Sequence, residues 1–462
     1  MKTNSLKNMA FALLASATLL SCSSSRHYER SSINTEGLYG TTQTDSTNLA
    51  NEAWESLFND PVLKSLIAEG LSNNLSLQAA IERVKASEAY FKQSRQSMLP
   101  GISAQAGHTY VRNSESTYPS GPREYNAAQI ALQASWEIDF WGKLNSAKKA
   151  AYADYLGTDA ARKAVQTSLI ANIATAYYNL LALDQQLVIT QETVKTNAEL
   201  VETMKVLKDH GSVTGAAVVQ SEAARYAAEV TIPDLEQQIE ATENSLCILL
   251  GRTPGTITRG KLEDQQVQSQ LTVGVPSQLL DNRPDVMQAE YAVISAYETT
   301  NSAKAYFFPS VTLTASSGLE ALEYSDLFDA GSLMANVVGG LTSPLFNKRA
   351  NRTRLEVAKA QQAVALADFK NTLLTAGQEV SDALGTYQAA ERKIDLRKKQ
   401  LNALEKSVDY TKELLTYGSA TYTEVLNAQQ SYLGAQLNNV SDHLQQLTAV
   451  VTLYRALGGG WQ

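Results

Sequence analysis

One stretch of alternating residues decides how the chain is interpreted: Gln129-Ile130-Ala131-Leu132-Gln133-Ala134-Ser135-Trp136-Glu137-Ile138-Asp139-Phe140. Its even-numbered positions are apolar and its odd-numbered positions are mostly polar. A repeat of two residues predicts a β-strand with one apolar and one polar face. The stretch also meets the length of about 9–11 residues that a transmembrane barrel strand needs. A small soluble sheet with one face on a core would show the same pattern, so both interpretations stay open.

Three further segments alternate less regularly, and the four together predict two hairpins. One hairpin joins about 100–115 with 127–140, and the other joins about 309–321 with 333–345. Four strands cannot close a membrane barrel, because the smallest such barrels use about eight. An open sheet edge cannot lie in lipid. If these strands enter a membrane, two chains must supply about eight strands or three chains about twelve.

The sequence around these strands is duplicated. Leu207–Val213 matches Leu414–Ala420 at an offset of 207 residues, and the offset still holds at Gly251 and Gly458. Each unit of about 200 residues reads helix, strand, strand, long helix, turn, helix. We therefore predict one architecture built twice, which is mainly α-helical with a membrane β part. The predicted segments are a first structural repeat at 51–255, an inter-repeat linker at 256–284 and a second structural repeat at 285–462.

Long helices are expected in both repeats. No proline occurs from 123 to 232 or from 345 to 462, and proline is the strongest helix breaker. We predict helices at about 143–209 and 347–416, each about 100 Å long at 1.5 Å per residue. Pro233 lies inside the first returning helix and is expected to kink it. Coiled-coil-like seams with a 3.5-residue repeat are clearest at Leu433, Leu437, Val440, Leu444, Leu447, Val451 and Tyr454.

Composition excludes several classes of protein. The formal net charge is −8, whereas a protein that binds nucleic acid is expected to have a basic surface. Only two cysteines occur, Cys22 and Cys247, so a disulfide scaffold or a Cys-rich zinc protein is excluded. The four histidines lie on separate predicted elements, so no metal site and no other cofactor follows from them. No catalytic triad or phosphate-binding loop is present, and we expect no enzyme.

The N-terminal residues are typical of a bacterial lipoprotein. Lys2 and Lys7 precede an apolar run from Met9 to Leu20 that is too short to span a bilayer. The sequence Leu19-Leu20-Ser21-Cys22 resembles a lipobox, in which cleavage leaves an acylated cysteine at the new N-terminus. We predict a signal peptide at 1–21, lipid attachment at Cys22 and a lipidated tether at 22–50. No acidic residue directly follows Cys22. The resemblance to lipoproteins of enteric bacteria therefore favours sorting of the chain to the outer membrane.

Taken together along the chain, the motifs resemble those of the TolC-like outer-membrane efflux channels. Within that family, they resemble the NodT-type lipoproteins that serve RND drug and metal pumps. The resemblance runs from about Trp54 to the C-terminus. Its markers are Trp54…Phe58-Asn59-Asp60-Pro61, Trp136-Glu137-Ile138-Asp139-Phe140-Trp141-Gly142-Lys143, Val275-Pro276-Ser277…Arg283-Pro284-Asp285-Val286…Ala289-Glu290 and Ala456-Leu457-Gly458-Gly459-Gly460-Trp461.

The resemblance implies a homotrimer with a 12-stranded β-barrel in the outer membrane of a Gram-negative bacterium. A long α-helical periplasmic tunnel with an equatorial collar would continue the barrel. Such proteins are passive ducts without catalytic chemistry, which a periplasmic adaptor couples to an inner-membrane RND-type transporter. Small molecules such as drugs are the expected cargo. The residues do not identify the cargo, and they give copper or silver export no support.

The resemblance also assigns the periplasmic mouth to the two helical tips. Gly211 and Gly418 suit sharp turns between helices. Thr214 in the first repeat, and Thr421 or Thr423 in the second, could cap the returning helices. Glu424 and Asn427 match the acidic ring of the closed TolC entrance, so they are predicted to form the periplasmic gate. Glu424 also fits a simpler interpretation, an acid at a helix N-terminus.

One departure from TolC concerns the closed state. The positions that carry polar links between its tip hairpins hold Ala216, Ala217, Leu415 and Ala420 here. We therefore expect apolar packing to hold the tips together. The tip residues expected to form turns and contact the adaptor are Asp209, Gly211, Thr214, Tyr417, Gly418 and Thr421.

Two other functions remain open at this stage. One is a type I secretion channel that passes polypeptides. The other is a lipid-anchored periplasmic coiled-coil scaffold whose strands form a soluble sheet.

Overall fold

The computed structural model of the chain describes residues 28–30, 35, 37–39, 48–116, 123–266 and 272–461. The predicted signal peptide and Cys22 lie outside the described residues. Twelve principal elements follow in chain order: α1 Pro61–Asn73, α2 Leu75–Gln96, β1 Gly101–Arg112, β2 Glu124–Ile138, α3 Lys143–Asp209, α4 Gly215–Glu229, α5 Thr231–Leu250, α6 Pro284–Ala305, β3 Ser310–Ala321, β4 Leu333–Thr342, α7 Ala350–Thr416 and α8 Tyr422–Ala456. Two single-turn helices, Trp54–Leu57 and Leu279–Asn282, accompany them.

The described residues fall into two compact units, which are treated separately. Of the described residues, the sheet unit comprises 28–30 and those within 83–159 and 288–369, and the helical unit comprises those within 35–82, 160–287 and 370–461. Both long helices, α3 and α7, have 67 residues and run from one unit into the other. No helix among the described residues is both long and apolar enough to cross a membrane.

The long helices agree with prediction except at one end. Helix α3 occupies 143–209, and the Asp139 carboxylate caps it by accepting from the backbone N–H groups of Leu144 (3.0 Å) and Asn145 (2.7 Å). Helix α7 begins at Ala350 instead of the predicted 347. The reason is local, because Lys348 and Arg349 have φ values of 52° and 69° and cannot belong to a right-handed helix.

The first returning helix is interrupted where its kink was predicted. Helix α4 ends at Glu229 and α5 starts at Thr231, with Val230 between them. Pro233 has no N–H to donate to the carbonyl of Glu229, four residues earlier, and its ring crowds that carbonyl. In the second repeat, α8 continues unbroken for 35 residues.

The four predicted strands are confirmed as one antiparallel sheet in the order β1-β2-β3-β4. Three predicted strand ends differ from the structure by three residues, and the first is that β1 ends at Arg112 instead of about 115. Strand β2 begins at Glu124 instead of 127, because Glu124 pairs with Arg112 and lengthens the hairpin. Strand β4 ends at Thr342 instead of 345, where Pro344 could not donate to the ladder.

The helical unit has the larger apolar core. Its centre is the buried stripe of α3 that includes Ile173, Tyr177 and Leu180, each 0% exposed. The seam predicted on α8 is confirmed as buried at Val440, Leu447, Val451 and Tyr454, and half-buried at its other members. In the sheet unit, the buried helical positions are mostly small, including Ala150, Ala153, Ala303 and Ala358. Small side chains allow helix axes to approach closely.

Ion pairs fasten the predicted linker within the helical unit. Arg283 is 6% exposed and donates to both carboxylate oxygens of Asp285 (2.9 and 2.6 Å), to Glu379 (2.8 Å) and to the carbonyl of Ala456 (3.0 Å). Burial acts to raise the pKa of Asp285, but the hydrogen bonds and charge of Arg283 outweigh it and lower that pKa. The Trp461 indole donates to the carbonyl of Asn282 at 2.8 Å, which attaches the C-terminal segment to the linker.

Candidate functional site

The register of the sheet separates its side chains into two chemically distinct faces. Directly paired residues share a face, and the pairs Ala104↔Leu132, Ala315↔Val337 and Ile130↔Leu319 fix one of them. That face, the apolar face, carries no charged residue at its central positions: Ile102, Ala104, Ala106, Ile130, Leu132, Ala134, Trp136, Ile138, Val311, Leu313, Ala315, Ser317, Leu319, Leu333, Ala335, Val337 and Leu341.

The opposite face, the polar face, is mostly hydrophilic: Ser103, Gln105, Thr109, Gln129, Gln133, Ser135, Glu137, Thr312, Thr314, Ser316, Glu320, Asn336 and Thr342. The predicted division of residues 129–140 into two faces is therefore a property of the whole sheet.

No core formed by the described residues covers the apolar face. Ile102 is 74% exposed, Leu132 59% and Val337 71%. An exposed apolar patch of this kind marks contact with a partner or with lipid. The interpretation as a soluble sheet with one face on a core therefore fails for this face.

The sheet also has two open edges. Among the described residues, β1 pairs only with β2, and β4 pairs only with β3. Unpaired edges expose a row of N–H and C=O groups that lipid cannot satisfy. A membrane-inserted sheet of this kind needs strands from other copies at both edges.

Aromatic side chains surround the end of the sheet at which β2 ends and β3 begins. Trp141 stacks on Phe308 at 4.7 Å between ring centroids, and its indole donates to the carbonyl of Pro309 at 2.7 Å. The Tyr306 ring lies beneath Arg354 at 3.8 Å and Lys143 at 4.9 Å. Rings with hydrogen-bonded polar groups beside exposed apolar strands are typical of the aromatic belts of membrane barrels.

The two helical tips have the same turn in both repeats. The N–H of Gly211 donates to Lys208 (2.9 Å), and that of Ser212 donates to Leu207 (2.8 Å). Gly418 and Ser419 make the equivalent bonds to Leu415 and Leu414, at 3.0 and 2.8 Å. This is the Schellman turn, which needs a left-handed residue. Gly211 and Gly418 supply it with φ values of 75° and 68°, as expected for glycines at sharp turns between helices.

The helix caps differ between the tips. Thr214 occupies the N-cap position of α4, but its side chain makes no capping hydrogen bond, so the prediction that it caps this helix through its hydroxyl was wrong. Thr421, and not Thr423, occupies the N-cap position of α8. There Glu424 acts as the reciprocal cap, since its Oε2 accepts from the backbone N–H of Thr421 at 2.6 Å and from its hydroxyl at 3.0 Å.

Glu424 and Asn427 are three residues apart and exposed on one side of α8. The hydrogen bonds from the Thr421 backbone and hydroxyl lower the pKa of Glu424, so its carboxylate is ionised at neutral pH. Within one chain, Glu424 thus behaves as an acid at a helix N-terminus. It remains accessible to solvent for any further role.

Apolar side chains hold the tip region together. Leu200 and Met204 of α3 form a buried cluster with Val218 of α4 and with Tyr422 and Val425 of α8. Leu207, Val213, Ala217, Leu415 and Leu426 pack around it. Ala217 and Leu415, two of the four positions at which the resemblance led us to expect apolar packing, are therefore part of this cluster. The tip residues predicted to form the turns and contact an adaptor are exposed: Asp209, Gly211, Thr214, Tyr417, Gly418 and Thr421.

Among the described residues, no group of three or more His, Cys, Asp and Glu side chains could hold a metal ion. Cys247 is 1% exposed, and its Sγ donates to the carbonyl of Gly255 at 3.4 Å.

Known proteins with similar sequences and structures were compared with the chain. A family described as Outer membrane efflux protein matches it twice, at residues 66–252 and 275–459. The toluene efflux pump outer membrane protein TtgC of Pseudomonas putida is 30% identical over 427 residues, covering 92% of this chain and 88% of TtgC. The cation efflux system protein CusC of Escherichia coli is 29% identical over 453 residues, covering 96% of this chain and 97% of CusC. The open-state crystal structure of the MtrE outer membrane channel of Neisseria gonorrhoeae has a TM-score of 0.83 at 26% identity, covering 96% and 99% of the two chains.

Proposed function

Because the chain belongs to the outer membrane efflux protein family, we propose that it is the outer-membrane exit duct of a tripartite efflux system. In this role it is a passive homotrimeric channel. A periplasmic adaptor and an inner-membrane RND-type transporter open it and deliver small molecules to it.

The sheet supports this proposal most directly. Its apolar face is exposed and uncharged, its other face is polar, and both edges are open. Lipid would cover the apolar face, and water in a lumen would hydrate the polar face. Pairing β4 of one copy with β1 of the next removes every edge once the ring closes.

Three copies fit a duct better than two. An eight-stranded barrel has an interior just wide enough for side chains to fill, and barrel diameter grows with strand number. Three copies of this sheet give about twelve strands, which leaves room for a passage. The relatives are named for efflux, and a barrel filled with side chains would not conduct.

The helical tips are proposed as the periplasmic gate and as the contact surface for the adaptor. Three ionised Glu424 carboxylates near a threefold axis would favour cations and repel anions in a narrow mouth. Asn427 would add a polar, uncharged ring one turn further along α8. The apolar tip cluster around Met204 and Val425 would hold the resting state. The adaptor would bind the exposed turns at Gly211 and Gly418.

Anchoring by lipid is also part of the proposal. Acylation at Cys22 would attach the chain to the outer membrane after removal of residues 1–21. Incorporation of a labelled fatty acid that is lost in Cys22→Ala would support this assignment, and incorporation that persists would contradict it.

The cargo is proposed only as a class. TtgC is named for toluene and CusC for cations, although both are similarly related to this chain. The polar face of the sheet carries mostly short, neutral side chains, which offer little basis for selecting one cargo. We therefore propose that the pump selects the cargo, and that drug-like small molecules are among it.

The test combines assembly with conductance. We expect the protein to be recovered from outer-membrane fractions as a heat-sensitive trimer and to conduct ions in planar bilayers. A monomer that remains soluble without its lipid and conducts nothing would support the scaffold interpretation instead. Passage of a folded or unfolded polypeptide would favour a secretion channel.

A further inference from the structure

A short segment directly after the last strand combines exposed apolar and basic side chains. Leu345 and Phe346 are 98% and 86% exposed. They follow Thr342, the last residue of β4, by three and four residues. The residues from 347 to 354 then contain no acid and four exposed cations: Lys348, Arg349, Arg352 and Arg354. Residues 345–354 are called the foot segment below.

The foot segment is fixed at the foot of the sheet, which is the end at which β2 ends and β3 begins. Leu345 is three Cα–Cα steps beyond Thr342, which pairs with the first residue of β3, so the two Cα atoms are at most about 11 Å apart. Further along, Asn351 donates from Nδ2 to the carbonyl of Tyr306 at 2.6 Å. The guanidinium of Arg354 lies over the Tyr306 ring, 3.8 Å from its centroid. The cations are therefore held close to the aromatic side chains at this end of the sheet.

The protein itself neutralises little of this positive charge. Arg349 pairs with Glu356 at 2.9 Å, but the two side chains are 64% and 55% exposed, and such surface pairs are weak. Among the described residues, no carboxylate forms an ion pair with Lys348 or Arg352. The whole chain has a net charge of −8, so this segment is an exception to its acidic character. An anion from outside the chain could pair with both side chains.

The backbone favours a use for these side chains. Lys348 and Arg349 have φ values of 52° and 69°. Left-handed angles are unfavourable for residues that have a Cβ atom, and glycine adopts them at lower cost. Strained positions of this kind are typical of functional sites, at which the side chain is worth its strain.

The first repeat has the same arrangement in a weaker form. Phe140 occupies the position equivalent to Phe346 and is 50% exposed. The range 143–149 then contains no acid and three cations: Lys143, Lys148 and Lys149. Two of these lysines already pair with glutamates of the sheet unit. The foot segment therefore carries the larger share of the charge that is left for an external anion.

An exposed apolar pair followed by clustered cations matches the boundary between acyl chains and phosphates in a membrane leaflet. We propose that the foot segment binds anionic phospholipid in the leaflet at the foot of the sheet. Leu345 and Phe346 enter the acyl layer, while Lys348 and Arg352 contact the phosphates. The proposal rests on the proposed function, because it requires the sheet to lie in a membrane. A second copy of the chain is a poorer occupant, since the nearest charged residue before its β1 is Arg95, another cation.

Brominated lipids provide the test, because bromine on an acyl chain quenches tryptophan fluorescence at contact distance. The full-length trimer is reconstituted in vesicles that mix phosphatidylcholine with phosphatidylglycerol, and one lipid or the other is brominated. Trp136 and Trp141 lie near the foot of the sheet and report which lipid is bound. The ratio of the two quenching curves gives the preference for the anionic lipid.

We expect the wild-type protein to prefer phosphatidylglycerol about threefold or more at low salt. The preference should vanish in 1 M salt, where the screening length is about 3 Å. Lys348→Gln combined with Arg352→Gln should remove it at low salt as well. Lys398→Gln combined with Lys399→Gln removes two exposed cations of the helical unit and serves as the matched control, which should keep the preference.

Two results would overturn the lipid site. One is the same preference in the wild-type protein and the foot variant, or none in either. The other is loss of the trimer in the foot variant, which would assign the segment to contact between copies.

The variant Phe346→Trp tests the position of the apolar pair. Its added fluorescence should be quenched by brominated phosphatidylcholine. Tyr417→Trp, at a position that is 76% exposed on the second helical tip, is the control and should stay unquenched. An unquenched Phe346→Trp in a conducting trimer would overturn the lipid placement and leave the channel standing. Absence of both conductance and quenching of Trp136 would refute membrane insertion, and with it the proposed function.

Discussion

A charge placed on either face of β3 provides a sharp test of the membrane assignment. Ala315 and Ser316 are neighbours in mid-strand. Ala315 pairs with Ala134 and Val337 on the apolar face, whereas Ser316 belongs to the polar face. The variants Ala315→Arg and Ser316→Arg therefore add the same side chain to adjacent positions of the same strand.

The expected magnitudes differ widely. An arginine facing lipid near the middle of a barrel costs about 2–4 kcal/mol, which is roughly 30- to 900-fold in the folding equilibrium. An arginine facing the lumen stays hydrated, and its effect on the free energy of unfolding should be within about 0.5 kcal/mol. Its three copies would instead shift the ion preference of the channel towards anions.

The assay is denaturant unfolding of the protein inserted in lipid vesicles, together with the reversal potential in planar bilayers. Ala315→Arg should lower the unfolding midpoint strongly, and Ser316→Arg should change mainly the ion preference. Equal tolerance of both variants would refute the lipid-facing assignment, because a face exposed to water accepts arginine. A stronger penalty at Ser316 would mean that the two faces are inverted.

Three further predictions concern the helical unit. Glu424→Gln should reduce cation preference in the reconstituted trimer, since it removes three ionised carboxylates, and an unchanged current–voltage relation would refute a gate at this position. Gly418→Ala should lower stability by about 1–2 kcal/mol, because φ is 68° there, whereas Gly434→Ala in mid-α8 should not; thermal unfolding of both variants decides this. Stability should fall on acidification from about pH 5 downwards, because the folded-state pKa of Asp285 lies below its unfolded value and the contribution of its pair with Arg283 is lost as the carboxylate protonates. Asp285→Asn should flatten this part of the pH profile of the denaturant midpoint, and a profile identical to wild type would contradict the assignment.

Regular local patterns made most of the fold predictable. The period-two alternation of residues 129–140 identified β2 and its two faces because every second side chain of a strand points the same way. The absence of proline allowed one long helix, and the glycine at 211 was enough to place the C-terminal end of α3. The duplication then carried the same interpretation to the second repeat, where the pattern of β4 is weaker.

The predictions of helix and strand ends were wrong where the end depends on a residue distant in sequence or on unusual backbone angles. The start of β2 depends on the pairing of Glu124 with Arg112 across the hairpin. The start of α7 depends on the left-handed angles of Lys348 and Arg349, which residue type alone does not suggest. Thr214 has a typical N-cap identity, yet only Thr421 has a glutamate three residues later to complete the cap.

The candidate site was predictable in part. The tip glycines and Glu424 were found from the offset of 207 residues and from resemblance. The apolar tip cluster was expected in kind, but its members come from three helices and follow no single periodicity. The contact of Asn351 with Tyr306, which fixes the foot segment, had no signal in the sequence, because no local pattern connects residues 45 positions apart.

The break at Val230 makes the two repeats mechanically unequal. The returning limb of the first hairpin is interrupted at Val230, whereas the second returns as one continuous helix. A helix that lacks a hydrogen bond at one point bends there more easily than an unbroken helix. In a ring of three chains, three interrupted limbs and three continuous limbs would alternate around the circumference. An even radial push on such a ring would deflect the interrupted limbs first, so the motion would have threefold symmetry.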